Sequence, residues 1–222
     1  MQYFTEDYLE FFKELAPNNN KEWFDKNRKR YLISVKEPFN KFVTDLIQEF
    51  SKRDNEVQLE AKDAIFRINR DIRFSKDKTP YKLNNSAIIS KRGRKDKNYP
   101  GIYIELSPDK LRVYGGVYMP NTKQVQKIRE AIVNQGDEFN IIVNDKDFKS
   151  KFGEIRGEKN KRIPKEFGEL AKIQPFLFNK QWYHFAELSP KIILQEDLMD
   201  TILEYALSAS KMRIFLRDAL YT

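Results

Sequence analysis

A chain of 222 residues can bury a core without disulfide or metal support, because a domain of this size removes roughly 70% of its unfolded surface from water. It has no cysteine, which excludes disulfides, zinc–thiolate sites, iron–sulfur clusters and thiol catalysis; its one histidine, His184, has no second histidine to share a metal or a relay. The net charge of +8 is unevenly placed: Phe66 to Lys97 carries 11 Lys/Arg against 3 Asp/Glu, and the rest of the chain holds 30 of each.

Thr5 is the expected N-cap of a first helix, with Glu6 and Asp7 in its first turn and Leu9, Phe11, Phe12 and Leu15 on its apolar side. Pro17 and Asn18-Asn19-Asn20 stop it. Asn19, with Glu22 three residues on, predicts a capping box opening a second helix that carries Trp23, Phe24 and Tyr31. Pro38 begins or kinks a third, in which Phe39, Phe42, Val43, Leu46, Ile47 and Phe50 repeat at helical spacing and form core.

The period then changes. Phe66, Ile68, Ile72 and Phe74 alternate with polar residues and predict a strand, with Arg67, Asn69, Asp71 and Arg73 on its other face and Arg70 interrupting the row. Leu83 to Lys91 is a second strand, and Gly101 to Ser107 with Leu111 to Tyr118 a hairpin around Ser107-Pro108-Asp109-Lys110. Gly115-Gly116 signals a bulge or a close approach by a backbone or a ligand. Asn121 caps a helix bearing Val125, Ile128 and Ile132 and stopped by Gly136; Asp137 caps the next, with Phe139, Ile142 and Val143. Ile155 to Ile163 reads as a small hairpin around Glu158-Lys159-Asn160, Phe176 to Leu188 as a strand, and Gln195 to Tyr221 as one or two helices.

Together these elements predict one α+β domain over residues 1–222: helical over 5–53, mostly strands over 64–119, mixed over 121–188 and helical over 194–221. An antiparallel sheet of about four to six strands packs against the N-terminal and C-terminal helices. No leader and no membrane span is read from the sequence, and a cytoplasmic location is expected.

The sequence has no Gly-x-Ser-x-Gly elbow, no phosphate-binding Gly-x-x-x-x-Gly-Lys loop and no Gly-x-Gly-x-x-Gly fingerprint. No cofactor and no metal is expected, and His184, on an aromatic strand, reads as a satisfied structural histidine. Chemistry concentrates in Phe66 to Lys82. Arg67, Arg70 and Arg73 offer planar donor forks for phosphate or carboxylate, and Lys76, Lys78 and Lys82 add point charges. Asn69, Asp71, Tyr81 and Trp23 would orient or wall such a site, and Asp71 or Tyr81 could transfer protons if it is catalytic. The competing structural reading pairs Arg70 with Asp71 and Lys76 with Asp77. A third reading has segment 66–97 hold nucleic acid, with Tyr99, Tyr103 or Tyr114 stacking on bases. Lys91 to Lys97 reads as a solvated loop.

The string Phe66 to Lys82 resembles the signature of the bacterial and fungal family catalogued as domain of unknown function 2461. Asn18-Asn19-Asn20-Lys21-Glu22-Trp23-Phe24, Pro100-Gly101-Ile102-Tyr103 and Gly115-Gly116-Val117-Tyr118-Met119-Pro120 are similar to it in the same order. The resemblance extends from Phe4 to Leu216 and implies a single α+β domain; it brings no activity, cofactor or catalytic residue.

Overall fold

In a computed structural model that describes all 222 residues, Thr5 stands at the N-cap of α1 (Glu6–Leu15), whose face of Tyr8, Leu9, Phe11, Phe12 and Leu15 is buried. The cap of α2 (Lys21–Lys26) is Asn20, not Asn19: Asn20 Oδ1 accepts from the Trp23 N–H at 2.9 Å, which leaves the Asn19 amide for a tertiary role. After α3 (Arg28–Arg30) the chain makes a π-helical stretch, Tyr31–Lys36, and enters α4 (Glu37–Ser51) with Pro38 in its first turn, where a missing N–H goes unnoticed. Arg30 ties this run to α1, reaching Asp7 at 2.7 Å and Glu14 at 2.7 Å.

The short helix α5 (Ala61–Ala64) precedes the sheet strands β1 (Asn85–Ile89), β2 (Ile102–Leu106) and β3 (Leu111–Val117). Then follow α6 (Thr122–Asn134), α7 (Gly136–Val143), α8 (Lys146–Phe152), α9 (Leu170–Ile173), β4 (Trp182–Leu188), α10 (Leu198–Ser208) and α11 (Ser210–Tyr221). The four strands form one antiparallel sheet in the order β1-β2-β3-β4, which makes the protein α+β. The β2–β3 turn closes where expected, Ser107 N–H donating to the Lys110 carbonyl at 3.0 Å.

The chain divides into two compact units: residues 1–95, 103–113 and 187–203 in the first, 96–102, 114–186 and 204–222 in the second. Each is assembled from three stretches of chain, so no contiguous linker marks a boundary. The first unit is built on aromatic contacts of α1 and the residues before it with their helical neighbours, Phe11 meeting Trp23, Phe24 and Tyr31 within 6.2 Å and Phe4 meeting Phe42 at 5.6 Å. The second buries Ile128, Ile132, Phe139, Phe148, Trp182, Met212 and Phe215 in one cluster.

Four expectations need correction. Phe66 to Phe74 is not a strand; it makes one isolated bridge, Asn69 to Tyr81, with a second, Ile65 to Ala87, just before it, and Phe74 is 96% exposed. Ile155 to Ile163 does not fold on itself: Arg156 bridges Tyr183 and Lys159 bridges Asn179, so this stretch lies along β4 and the residues before it. Its turn residues gave a hairpin signal, but an edge with unpaired backbone groups was the stronger partner. Pro175–Phe178 is a 3₁₀ turn, and the strand read over Phe176 to Leu188 starts only at Trp182. Gly136 opens α7 rather than ending α6, with Gln135 at the N-cap and Asp137 in the first turn.

Candidate functional site

The site grows from one asparagine. Asn19 Nδ2 donates to the Tyr81 carbonyl at 2.9 Å, and Asn19 Oδ1 accepts the Tyr81 N–H at 3.0 Å. A side-chain amide thus occupies the place of a neighbouring strand, and the Phe24 ring stacks on the Tyr81 ring at 4.0 Å and 16°. These contacts join the Asn18–Phe24 turn and helix to the Thr79–Lys82 stretch, 62 residues apart.

Opposite Tyr81 the chain forms a narrow ribbon. Phe66 N–H donates to Ser86 O at 2.9 Å, Lys82 N–H to Ile68 O at 2.8 Å and Arg70 N–H to Pro80 O at 2.8 Å. It goes no further because Pro80 has no N–H to return and Asp71 bends the chain, its carboxylate accepting the Arg73 N–H at 3.3 Å. The alternation of Phe66 to Phe74 therefore continues in sequence across a turn that ends the pairing in space.

Beyond the turn, the arginines separate by role. Arg70 Nη1 donates to Asp77, to the Thr79 hydroxyl and, at 3.1 Å, to the Thr79 carbonyl. The Thr79 N–H and the Arg70 guanidinium hold the Asp77 carboxyl down at about 2. Arg73 grips Asp71 through Nε at 2.9 Å and Nη2 at 2.7 Å, both groups exposed. The ion pairs are thus Arg70–Asp77 and Arg73–Asp71, not the sequence-adjacent Arg70–Asp71 and Lys76–Asp77. Lys78 donates to the Ile72 carbonyl at 2.9 Å; Arg67 and Lys76 point into solvent.

Arg70 and Lys82 line one cleft of about 400 Å³, together with Asn19, Asp77, Thr79, Tyr81 and Asn84. Of the residues read from the sequence as an anion site, the structure brings Arg70, Lys82 and Tyr81 to this cleft. Arg67, Asn69, Asp71, Arg73, Lys76 and Lys78 stand outside it, and Trp23 packs on Phe11 instead, at 5.5 Å.

The other candidates resolve differently. The basic loop is anchored to its surroundings: Lys91 pairs with Glu56 at 2.9 Å, Arg94 donates to the Lys62 and Asp63 carbonyls at the end of α5, and Asp96 accepts the Tyr221 hydroxyl at 2.8 Å. Tyr99 is 5% exposed against Tyr221 and offers no stacking face. His184 is buried between Phe148 and Phe152, but it is not satisfied: neither ring nitrogen has a hydrogen-bond partner, and burial lowers its pKa to about 3. Gly115 explains the glycine pair, because a Cβ there would lie 2.5 Å from His184 Nε2. At Gly116, with φ +95°, a Cβ would lie 2.2 Å from the Trp182 carbonyl oxygen. The approach is made by this chain's own β4, not by a ligand.

The family model described as conserved hypothetical protein (DUF2461) matches residues 7–215. The chain belongs to this family. No curated protein matches it. No helix is long and apolar enough to cross a membrane.

Two features of this DUF2461 member escaped sequence reading. Arg129 sits inside the apolar stripe of α6, 5% exposed, with Nε donating to Leu177 O at 2.8 Å and Nη2 to Asn179 O at 3.3 Å. A charge between Ile128 and Ile132 was its only sequence signal. Asn98 binds Met119 on both sides, Nδ2 to the carbonyl at 2.7 Å and Oδ1 from the N–H at 3.2 Å, and nothing local announces it.

Proposed function

We propose that the first unit binds a small anionic ligand, a phosphate or carboxylate compound, in the cleft lined by Arg70 and Lys82. The observation that carries this reading is that two cations and the amides of Asn19 and Asn84 line one cleft of about 400 Å³, within the usual range for small-molecule sites. Asp77, the one carboxylate of the lining, is engaged by Arg70 and Thr79, so the lining remains net positive. Arg70 holds its own loop through Nη1, while its Nη2 reaches only Ser75 Oγ, at 3.5 Å, and is the edge a ligand oxygen would take. Lys82, with its ammonium 5.4 Å from the Phe66 ring, supplies the second charge.

Thermal denaturation with inorganic phosphate, citrate and nucleoside monophosphates tests the proposal. A ligand of the folded state raises Tm with concentration by mass action. Lys82→Ala and Asn84→Ala should fold normally and lose that rise. No stabilisation by any of these anions, or a rise that survives both substitutions, rejects the cleft as an anion site.

A further inference from the structure

The charge of the chain outside segment 66–97 is neutral in sum but not in place. Ile155 to Lys165 holds five Lys/Arg (Arg156, Lys159, Lys161, Arg162 and Lys165) against one acid, Glu158. In the second unit this stretch lies along β4, where Arg156 N–H donates to the Tyr183 carbonyl at 2.7 Å and Tyr183 N–H to the Arg156 carbonyl at 3.1 Å. Lys159, Lys161, Arg162 and Lys165 are exposed.

The strand it joins has two unlike faces. Trp182, His184 and Ala186 point into the unit's core. Tyr183 and Phe185 alternate with them on the other face and are only half-buried. Tyr114 of β3 meets Phe185 at 5.1 Å, tilted by 32°, and Tyr118 meets Tyr183 edge-on at 5.1 Å. Tyr118 is 57% exposed. The Arg156 guanidinium lies 4.0 Å from the centre of the Phe185 ring. Partly open rings on a rigid sheet, one carrying a guanidinium, with a run of lysines and arginines at the edge, combine the two groups that bind unpaired nucleotides: π-faces for bases and cations for the backbone.

We propose that this face of the second unit binds single-stranded nucleic acid, with Tyr118 and Tyr183 stacking on bases and Arg156, Lys159, Lys161 and Arg162 contacting phosphates. Charge complementarity selects this occupant over an apolar protein surface, and exposed rings select single strands over duplex, whose bases are already stacked. The surface shares no residue with the Arg70–Lys82 cleft, so the two proposals fail separately.

Fluorescence anisotropy with labelled oligo-dT and oligo-U, and with a duplex of equal length, tests it at low and at physiological salt. Both single strands should bind more tightly than the duplex, and binding should weaken steeply as salt rises. Tyr118→Ala, at a position 57% exposed, should weaken binding about five-fold or more, and Tyr118→Phe should restore it. Lys161→Glu with Arg162→Glu should abolish it at physiological salt. The proposal is overturned by absence of binding at low salt, or by equal affinity for duplex. Affinity unchanged in Tyr118→Ala also overturns it, as does binding lost only in Arg67→Glu with Lys76→Glu, which would locate the contact on the first unit.

Discussion

Each unit fixes an irregular stretch with one asparagine amide, Asn19 on Tyr81 and Asn98 on Met119, and both carry surface ion pairs, yet only the second buries a guanidinium and an imidazole. In the first unit three arginines settle beside carboxylates at the surface, Arg70 with Asp77, Arg73 with Asp71 and Arg30 with Asp7. In the second, Arg129 is buried against backbone carbonyls, and His184 is buried with both ring nitrogens unpaired. Exposed pairs gain little, because water screens them and the long side chains lose freedom. A buried polar group puts much more at stake, because losing a partner or gaining a charge exposes the full cost of desolvation. The comparison teaches that the conspicuous charges of the first unit shape a loop, whereas the second unit's stability hangs on groups the charge pattern does not advertise.

The largest expected consequence is acid lability from His184. Its folded pKa, about 3, lies below the ordinary 6.5, so the unfolded chain takes up a proton that the folded chain refuses. The neutral imidazole's full contribution is present above pH 6.5 and is lost as pH falls from 6.5 towards 3, at about 1.4 kcal/mol per pH unit. Urea denaturation at pH 7 and pH 5 measures this slope. In His184→Leu it should flatten, with little change at pH 7, because neither ring nitrogen has a partner to lose. As His184 is the only histidine, its NMR signals report alone; a ring titrating near pH 6.5 would remove the basis for the contrast.

The two asparagines come next. Asn19→Ala and Asn98→Ala each delete two side-chain bonds to backbone and should each cost about 1–2 kcal/mol in denaturant unfolding. Hydrogen exchange would then show faster exchange at Tyr81 in the first variant and at Met119 in the second. A loss confined to one variant would show that the two anchors are not equivalent.

The smallest effects separate the arginines. Arg70→Ala removes bonds to Asp77 and Thr79 and should lower Tm by about 2–4 °C. Arg73→Ala removes an exposed pair and should leave Tm unchanged. Equal losses in both would mean that the surface pairs of the first unit matter more than their exposure allows.

What could be read without the structure followed from local rules. The apolar stripes of α1 and α4, the Asn121 N-cap and the β2–β3 turn are each set within a few residues, where helix periodicity, capping and turn chemistry act. The basic segment was visible for the same reason, and its Arg70, Lys82 and Tyr81 do meet at a cleft. The ion-pair partners were not, because the turn decides which carboxylate each arginine reaches, Arg70 taking Asp77 and Arg73 taking Asp71. Nor could the sequence reveal that Asn19 would reach Tyr81, that Gly115 leaves room for His184, or that Ile155 to Ile163 would lie along β4. Sequence alone determined the helical stripes of α1, α4 and α6, the β2–β3 turn and where positive charge gathers, because those depend on neighbours along the chain. Tertiary structure decided which charges are paired, which rings stay half-open and which glycine meets which side chain, because those depend on residues tens of positions away competing for the same few ångströms.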